Sequence, residues 1–451
     1  MTLSEAIGDF VAGLEMRNLP EDVVEKARTC LLNGYGIGLS CYDTPYVFVA
    51  RRAVLALEGE QSSGASLFAH GAKVPISGAA MCNAALFHGR GQEDTCGAAH
   101  LGAILIPLLS ALAESRRLPM ERFIPALVAG YETGGLLEQE YAPQTTPKGL
   151  RSSPIYGALA AAAAASRMMG LSGAVTAAAI ANAASFAGGV LQSFADGTDE
   201  WRYQVGVAAR HGLLAAELAA AGSVSAPHAI EGPSGFVKAF AGQDCDVARL
   251  AARLGREWSI HRVTFKPYPV CAFNQTPVTA ALELRSKLRG ETPRRVRVRM
   301  NPYETGYAGM DSKGPFHTIS GTLMSIPFCI ALTLLRGEPT MAAMTTYDDC
   351  ELGGLIDCID LIPDESVARL CCIIDADLDD GRTESITMNM TTKDFNFDRR
   401  TVSNMVRRIG QEQNVSMAAF DAIEIFANDL PNADIKSVVK AFSLCPKHEN
   451  S

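Results

Sequence analysis

Two short segments contain the side chains that could carry out acid–base chemistry. The first, from Asn83 to Gly102, reads NAALFHGRGQEDTCGAAHLG, and the second, from Phe265 to Cys271, reads FKPYPVC. Imidazole and amine groups can exchange protons near neutral pH, and cationic groups can hold an anion. The set therefore predicts proton transfer on an anionic substrate. Its members are His88, Arg90, Asp94, His100 and Lys266.

His100 precedes a stretch with helical spacing, Ala103–Ser115. A helix N-terminus lowers the pKa of a nearby histidine and attracts anions, although a histidine there can also be a cap or a surface residue. Asp94 lies just before it in a glycine-rich loop. Asp94 is therefore expected to orient His100, to act as a base itself or to cap the helix.

Lys266 stands directly before Pro267-Tyr268-Pro269. Two prolines hold the neighbouring backbone extended, so a lysine fixed in this way can point into a cleft at lower entropic cost than a linker lysine in solvent. Several further cations could grip carboxylates or could be plain surface charges. They are Arg90, Lys148, Arg151 and Arg202.

The spacing of apolar residues predicts a mainly α protein with two domains. A large all-helical domain is expected over 1–262 and, discontinuously, over 400–451, with a smaller α+β lid domain over 263–399. Predicted helices of the first domain include Val23–Leu39, Ala103–Ser115, Phe123–Glu138, Ala158–Met169 and Val205–Ala221. The lid is expected to contain strands Arg294–Met300, Cys371–Leu378 and Ser385–Met390, with helices Thr276–Leu288, Leu323–Leu335 and Asp364–Leu370.

Composition and missing motifs narrow the function. The chain has 451 residues, a net charge of −9 and no run of Lys or Arg longer than two, which argues against nucleic-acid binding. Its twelve cysteines form no Cys-x-x-Cys pair, and no signal peptide or membrane span is expected, so a cytoplasmic protein is predicted. Metal-ligand spacings and nucleotide-binding loops are also absent from the sequence, so no metal site is expected.

The order of several motifs resembles the MmgE/PrpD family. Besides the two segments quoted above, the matching stretches are KGLRSSPIYGALAAAAAASRMMGLS, GVAARHG and EGPSGFVKAF. The family includes 2-methylcitrate dehydratase, cis-aconitate decarboxylase and iminodisuccinate epimerase. The resemblance implies a helical domain, an α+β lid, a cleft between them, a homodimer and no cofactor. The family residues that this chain retains are Asp94, Thr95, His100 and Lys266.

Four positions depart from the dehydratase and decarboxylase members. Where those members typically carry Asp, His, Lys and a lid Tyr, this chain has Gly91, Arg151, Trp201 and Phe328. Dehydration needs an acid for the leaving hydroxide as well as a base, whereas epimerisation needs one proton-transfer group on each face of a carbon. The chain therefore resembles the iminodisuccinate epimerase branch most closely.

We predict a cofactor-independent epimerase that moves a proton next to a carboxylate of an iminodisuccinate-like dicarboxylate. A neutral Lys266 and His100 would transfer the proton, and Asp94 would tune one of them. The expected substrate-binding residues are Arg90, Arg151, Thr95, Lys148 and Arg202. The alternatives are a dehydratase or decarboxylase acting on a tricarboxylate, and an inactive scaffold. In a scaffold, Asp94, His100 and Lys266 would lie far apart or be buried in salt bridges.

Overall fold

The computed structural model describes residues 1–446, so the last five residues of the predicted segment 400–451 lie outside the described part. A large helical part and a smaller α+β part are present, which confirms the predicted fold class. The α-helices of the first part are Leu3–Gly13, Glu21–Leu39, Pro45–Glu58, Ile76–Phe87, Gly102–Arg116, Phe123–Thr145, Ser152–Met169, Gly173–Phe186, Gln192–Asp196, Glu200–Ala220 and Val247–Arg253.

The alanine-rich region forms two buried helices, as its small residues predict. Ser152–Met169 ends at Gly170, whose φ of 75° is a left-handed conformation that suits glycine. Ser172 then starts the next helix by accepting a hydrogen bond from the Val175 backbone N–H. A Cβ added at Gly212, in helix Glu200–Ala220, would lie 2.3 Å from the Ala161 Cβ, so small side chains let that helix approach Ser152–Met169 closely.

The α+β part is built on one four-stranded sheet. Its strands lie in the order Ile359–Pro363, Arg295–Met300, Cys371–Asp377 and Thr383–Asn389, with the first pair parallel and the others antiparallel. Val296, Val298 and Met300 are buried, and the arginines between them face away, which confirms the predicted alternation. The accompanying helices are Gln275–Leu288, Pro302–Thr305, Ile319–Met324, Ile326–Arg336 and Cys350–Asp357.

Two secondary-structure predictions in this part need correction. The predicted helix Asp364–Leu370 is wrong, because the chain there is a loop in which Asp364 accepts hydrogen bonds from Ser366. That loop follows strand Ile359–Pro363, which apolar spacing alone did not reveal. The predicted helix Leu323–Leu335 is divided near Ser325, where Pro327 occupies the first turn of the following helix.

After the sheet the chain returns to the helical part. Helices Arg399–Glu412, Met417–Asp429 and Lys436–Phe442 pack there, with Phe442 stacked on Phe68 at a centroid distance of 4.3 Å. Helix Glu21–Leu39 packs closely against helix Arg399–Glu412, because Gly36 has no side chain that would collide with Val406. Among residues 1–446, no helix is both long enough and apolar enough to cross a bilayer.

Candidate active site

A two-residue strand pairing brings the two chemistry-bearing segments together. Thr95–Cys96 pairs antiparallel with Val263–Thr264, and the hydroxyls of Thr95 and Thr264 lie 2.7 Å apart. Lys266 lies two residues after Thr264. The residue between them, Phe265, is held by a hydrogen bond from its backbone N–H to the Phe395 carbonyl oxygen. The pairing therefore fixes Lys266 beside the loop that contains Glu93 and His100.

Glu93 is the centre of the polar cluster, although it was not among the predicted site residues. Its side chain is 2% exposed, and its Oε1 lies 2.8 Å from Nζ of Lys266 and 3.2 Å from Nδ1 of His100. Its Oε2 lies 3.0 Å from Nδ1 of His88. Burial opposes ionisation of Glu93, but these neighbours hold its pKa well below the usual range. Glu93 is therefore a buried carboxylate that organises three nitrogen groups.

The contacts of His100 define its tautomer. Nδ1 lies 3.0 Å from the Asp94 carbonyl oxygen as well as near Glu93, so Nδ1 carries the proton. Burial, together with Lys266, lowers the pKa of His100 well below its usual value. No residue in the range 1–446 hydrogen-bonds Nε2, and the side chain lines a cavity. Neutral His100 therefore presents a free Nε2 lone pair to that cavity.

His88 is also neutral and links Glu93 to Arg151. Its Nε2 accepts a hydrogen bond from Nη2 of Arg151 at 2.7 Å, which leaves the proton on Nδ1, beside Glu93. Burial lowers the pKa of His88 to about 4. The imidazole of His88 therefore adds no charge, and it fixes the position of the Arg151 guanidinium relative to the Glu93 carboxylate.

Lys266 lies beside Glu93 at the base of the loop that contains His100. It is 4% exposed, and its Nζ donates a hydrogen bond to Oε1 of Glu93 at 2.8 Å. Because Nζ and Nδ1 of His100 are 2.8 Å and 3.2 Å from the same oxygen, they are at most 6.0 Å apart. Both side chains line the same cavity, so both can contact one small molecule.

Arg151 is a buried cation without a carboxylate partner in the described part of the chain. It is 2% exposed and donates to the Trp201 carbonyl, to Oε1 of Gln204 and to His88. Burial lowers its pKa to about 10, which leaves it charged at neutral pH. A desolvated charge is costly unless an anion compensates it. Because Arg151 lines the same cavity as His100, an anionic ligand would supply that compensation.

The cavity has a volume of 60 Å³ and two chemically different walls. The helical part, together with the segment around Lys266 that joins it to the lid (the hinge), contributes the charged groups Glu93, His100, Arg151 and Lys266. It also contributes Thr95, Phe194 and Trp201. The lid contributes Cys271, Ala272, Phe273, Tyr307, Leu323 and Met324. Two larger cavities, of 330 Å³ and 620 Å³, share lining residues with this cavity. We call the cavity of 60 Å³ the inner pocket and the two larger ones the outer cavities.

Asp94 lies behind the pocket rather than in it. Its Oδ1 accepts from the backbone N–H of Gly102 at 3.2 Å, at the start of helix Gly102–Arg116, and its Oδ2 accepts from the Tyr131 hydroxyl. Burial raises the pKa of Asp94 to about 6. Its carbonyl orients His100, so its contacts fit the predicted orienting and capping roles.

Three predicted substrate-binding cations lie outside the inner pocket. Arg90 pairs with Glu412 at 2.6 Å, and Arg202 pairs with Asp199 at 3.1 Å while it stacks over Tyr46. Lys148 is exposed and donates to a backbone carbonyl. Of the predicted substrate-binding residues, the pocket brings together Arg151 and Thr95.

The positions that depart from the dehydratase and decarboxylase pattern fall in different places. Gly91 and Trp201 line the inner pocket, whereas Phe328 is buried in the core of the lid. No group of three or more His, Cys, Asp or Glu side chains within residues 1–446 is arranged to hold a metal ion. The chemistry available in the pocket is that of a neutral imidazole, an ammonium and a guanidinium.

Comparisons with known proteins identify the family to which the two parts of the chain are similar. The family model described as the MmgE/PrpD N-terminal domain matches residues 5–247, and that of the MmgE/PrpD C-terminal domain matches residues 268–393. Cis-aconitate decarboxylase of Aspergillus terreus is 24% identical over 369 residues, which cover 77% of this chain and 74% of the relative.

Two further relatives are matched over shorter stretches. Human cis-aconitate decarboxylase is 28% identical over 301 residues, which cover 64% of this chain and 61% of the relative. The cis-aconitate decarboxylase-like protein oryM of Aspergillus oryzae is 28% identical over 275 residues, which cover 57% of this chain and 56% of the relative. The matched regions thus span less than two thirds of these two proteins.

Proposed function

Because the chain belongs to the MmgE/PrpD family, we propose that it is a lyase of the decarboxylase type that acts on a small di- or tricarboxylate. One observation carries this proposal. Arg151 is buried in the same pocket as His100 and Lys266, and no carboxylate among residues 1–446 pairs with it. The names of the relatives support decarboxylation in particular. They give no support to the predicted iminodisuccinate epimerase.

The proposed reaction assigns one role to each polar group. Arg151 holds a carboxylate that remains in the product. His100 Nε2 accepts the proton of the carboxyl group that will leave, because carbon dioxide departs from the ionised form. The bond to that carboxylate then breaks, its electron pair moves into an adjacent unsaturated carbon, and Lys266 donates a proton to the carbon skeleton. Carbon dioxide and a protonated product account for all atoms.

The one-sided arrangement supports a lyase over a two-face epimerase. His100 and Lys266 contact the same oxygen of Glu93 and line the same pocket, so we propose that both act on the substrate from this side. The opposite wall is largely apolar and aromatic. Such a wall favours conversion of a charged carboxylate to neutral carbon dioxide, because the charged form loses hydration there.

The test is product analysis with purified protein. We expect cis-aconitate or a related unsaturated polycarboxylate to release carbon dioxide and, in deuterated water, to form a product with one new C–D bond, which NMR detects. Lys266→Ala and Arg151→Met should each abolish or strongly reduce release. Carbon dioxide release that is equal in wild type and Lys266→Ala would refute the proposed roles.

Epimerisation is the second candidate, and the departures at Gly91, Arg151, Trp201 and Phe328 favour it. A different outcome of the same experiment identifies it. One stereoisomer of iminodisuccinate would invert and take up deuterium at the α-carbon, without release of carbon dioxide.

A further inference from the structure

The lid wall of the inner pocket contains few groups that can hydrogen-bond a substrate. Among the lid side chains that line it, Ala272, Phe273, Leu323 and Met324 offer no strong donor or acceptor. Cys271 offers a thiol, which is a weak donor. The remaining polar group is the hydroxyl of Tyr307. Any strong side-chain hydrogen bond from the lid to a bound anion must therefore come from Tyr307.

The ring of Tyr307 is held in place by neighbours from both parts of the molecule. Its centroid lies 6.2 Å from that of Phe194, in the helical part, and 5.3 Å from that of Phe273, in the lid. Tyr307 also lines the outer cavity of 620 Å³, so it forms part of the partition between that cavity and the inner pocket. The hydroxyl is thus attached to a positioned ring at the boundary of the site.

The Tyr307 hydroxyl has no hydrogen-bond partner among residues 1–446. Burial raises its pKa, so the group is a protonated donor at all working pH values. Arg151, which also lacks a carboxylate partner in the described range, lines the same small pocket. A guanidinium from the helical part and a hydroxyl from the lid are both available to one anion.

We propose that Tyr307 is a substrate-contacting residue that donates a hydrogen bond to the carboxylate held by Arg151, so that the bound anion joins the lid to the helical part. This inference rests on the proposed function in assuming a polycarboxylate substrate, but it does not depend on which bond is broken. It gives the lid a direct role in recognising the substrate, in addition to excluding water.

Tyr303 provides a matched control. It lies four residues earlier, its ring also contacts that of Phe273, at 5.9 Å, and its hydroxyl also makes no hydrogen bond with residues 1–446. Tyr303 lines the two outer cavities but not the inner pocket. Tyr→Phe at either position removes one hydroxyl and keeps the ring, so the two variants differ in whether the altered residue lines the inner pocket.

Binding is measured through Trp201, which lines the inner pocket. The chain has two tryptophans, so a Trp258→Phe background leaves Trp201 as the only tryptophan reporter. Tricarballylate is the probe, because it is a saturated tricarboxylate without an unsaturated carbon to accept electrons. Turnover of cis-aconitate is assayed in parallel on the same variants.

We expect Tyr307→Phe to raise the Kd for tricarballylate about 10- to 100-fold, the effect of losing a hydrogen bond to a charged group. Tyr303→Phe should change it less than about twofold. In a cycle with Arg151→Lys, the losses should be non-additive because both groups contact one carboxylate. Thermal unfolding of each variant establishes that it is folded.

The outcomes separate this inference from the proposed function. Equal Kd values for wild type and Tyr307→Phe would overturn the role of Tyr307 even if carbon dioxide is released, and additive losses would overturn the shared carboxylate. Tight binding that depends on Tyr307 without any decarboxylation would support the contact and refute the lyase. Absence of any polycarboxylate binding by wild type would refute both.

Discussion

The two walls of the inner pocket differ in chemistry and in how they are held. The wall from the helical part and hinge contains a buried carboxylate, a neutral imidazole, an ammonium and a guanidinium. The lid wall contains aromatic and aliphatic side chains with one hydroxyl and one thiol. Charged groups interact more strongly where water is excluded. The first wall therefore carries the groups that can transfer protons, and the second excludes water and offers one hydroxyl for binding.

Glu93 explains why the polar wall keeps a fixed geometry. It contacts two imidazoles from its own segment and the amine of Lys266 from the second segment, and it is almost fully buried. Nothing comparable connects the side chains of the lid wall, which are placed by packing. Substitutions on the polar wall should therefore affect catalysis much more than substitutions on the lid wall.

The largest effect is expected from Lys266→Ala. Loss of the proton donor should lower kcat about 100- to 10,000-fold, the usual contribution of general acid–base catalysis. Lys266→Arg should restore the charge beside Glu93 but not the rate, because a guanidinium does not give up its proton. The measurement is steady-state kinetics with carbon dioxide detection, and the exposed Lys287→Ala is the control. Full activity in Lys266→Arg would show that charge alone is required.

A second comparison uses two buried arginines, Arg151 and Arg90. Arg151→Met should reduce kcat/KM about 100-fold, because an ion pair with the substrate is lost, while thermal stability changes little or rises. Arg90→Met should do the reverse, lowering stability by about 1–3 kcal/mol because Glu412 loses its partner, with little change in activity. The readouts are kinetics and the midpoint of thermal unfolding. If Arg151→Met unfolds the protein, its role is structural.

These arginines also show what sequence can and cannot predict. Helical periodicity predicted the helix Phe123–Glu138, which in the structure continues to Thr145, because apolar spacing depends on local burial. It could not rank Arg90, Arg151 and Arg202, since what distinguishes them is the presence of a carboxylate partner. The partner of Arg90 is 322 residues away in sequence.

The sequence also failed to predict a very short strand pairing and the role of a single carboxylate. The pairing of Thr95–Cys96 with Val263–Thr264 is too short to give a periodic signal, yet it brings Lys266 to His100. Glu93 was missed because one acidic residue in a loop is common, and the contacts that give it a role are tertiary. The spacing of His88, Glu93 and His100 was the available signal, and it becomes meaningful only with the fold.

A third prediction concerns pH and stability. The pKa of His88 falls to about 4 in the folded protein, from a usual value near 6.5. Below pH 6.5 the unfolded state therefore binds more protons than the folded state. The contribution of His88 to the free energy of unfolding is complete above pH 6.5 and is lost as the pH falls towards 4. The total loss is at most about 3 kcal/mol. The midpoint of thermal unfolding, recorded between pH 4.5 and 7.5, measures this loss of stability. His88→Gln should flatten this dependence, and an unchanged slope would contradict the assignment.

The smallest effect is expected from the lid wall, at Phe273. This ring lines both the inner pocket and the outer cavity of 330 Å³, so Phe273→Ala should admit water without removing any charged group. Water raises the local dielectric and lets salt screen the contact between Arg151 and a carboxylate. We expect kcat/KM to fall only about 3- to 10-fold in low salt. The stronger signature should be a KM that rises more steeply with ionic strength than in wild type. Phe316→Ala, in the lid but outside the inner pocket, controls for general loosening of the lid. If Phe273→Ala instead lowers activity as far as Lys266→Ala, the lid wall takes part in the chemistry and the division between the two walls fails.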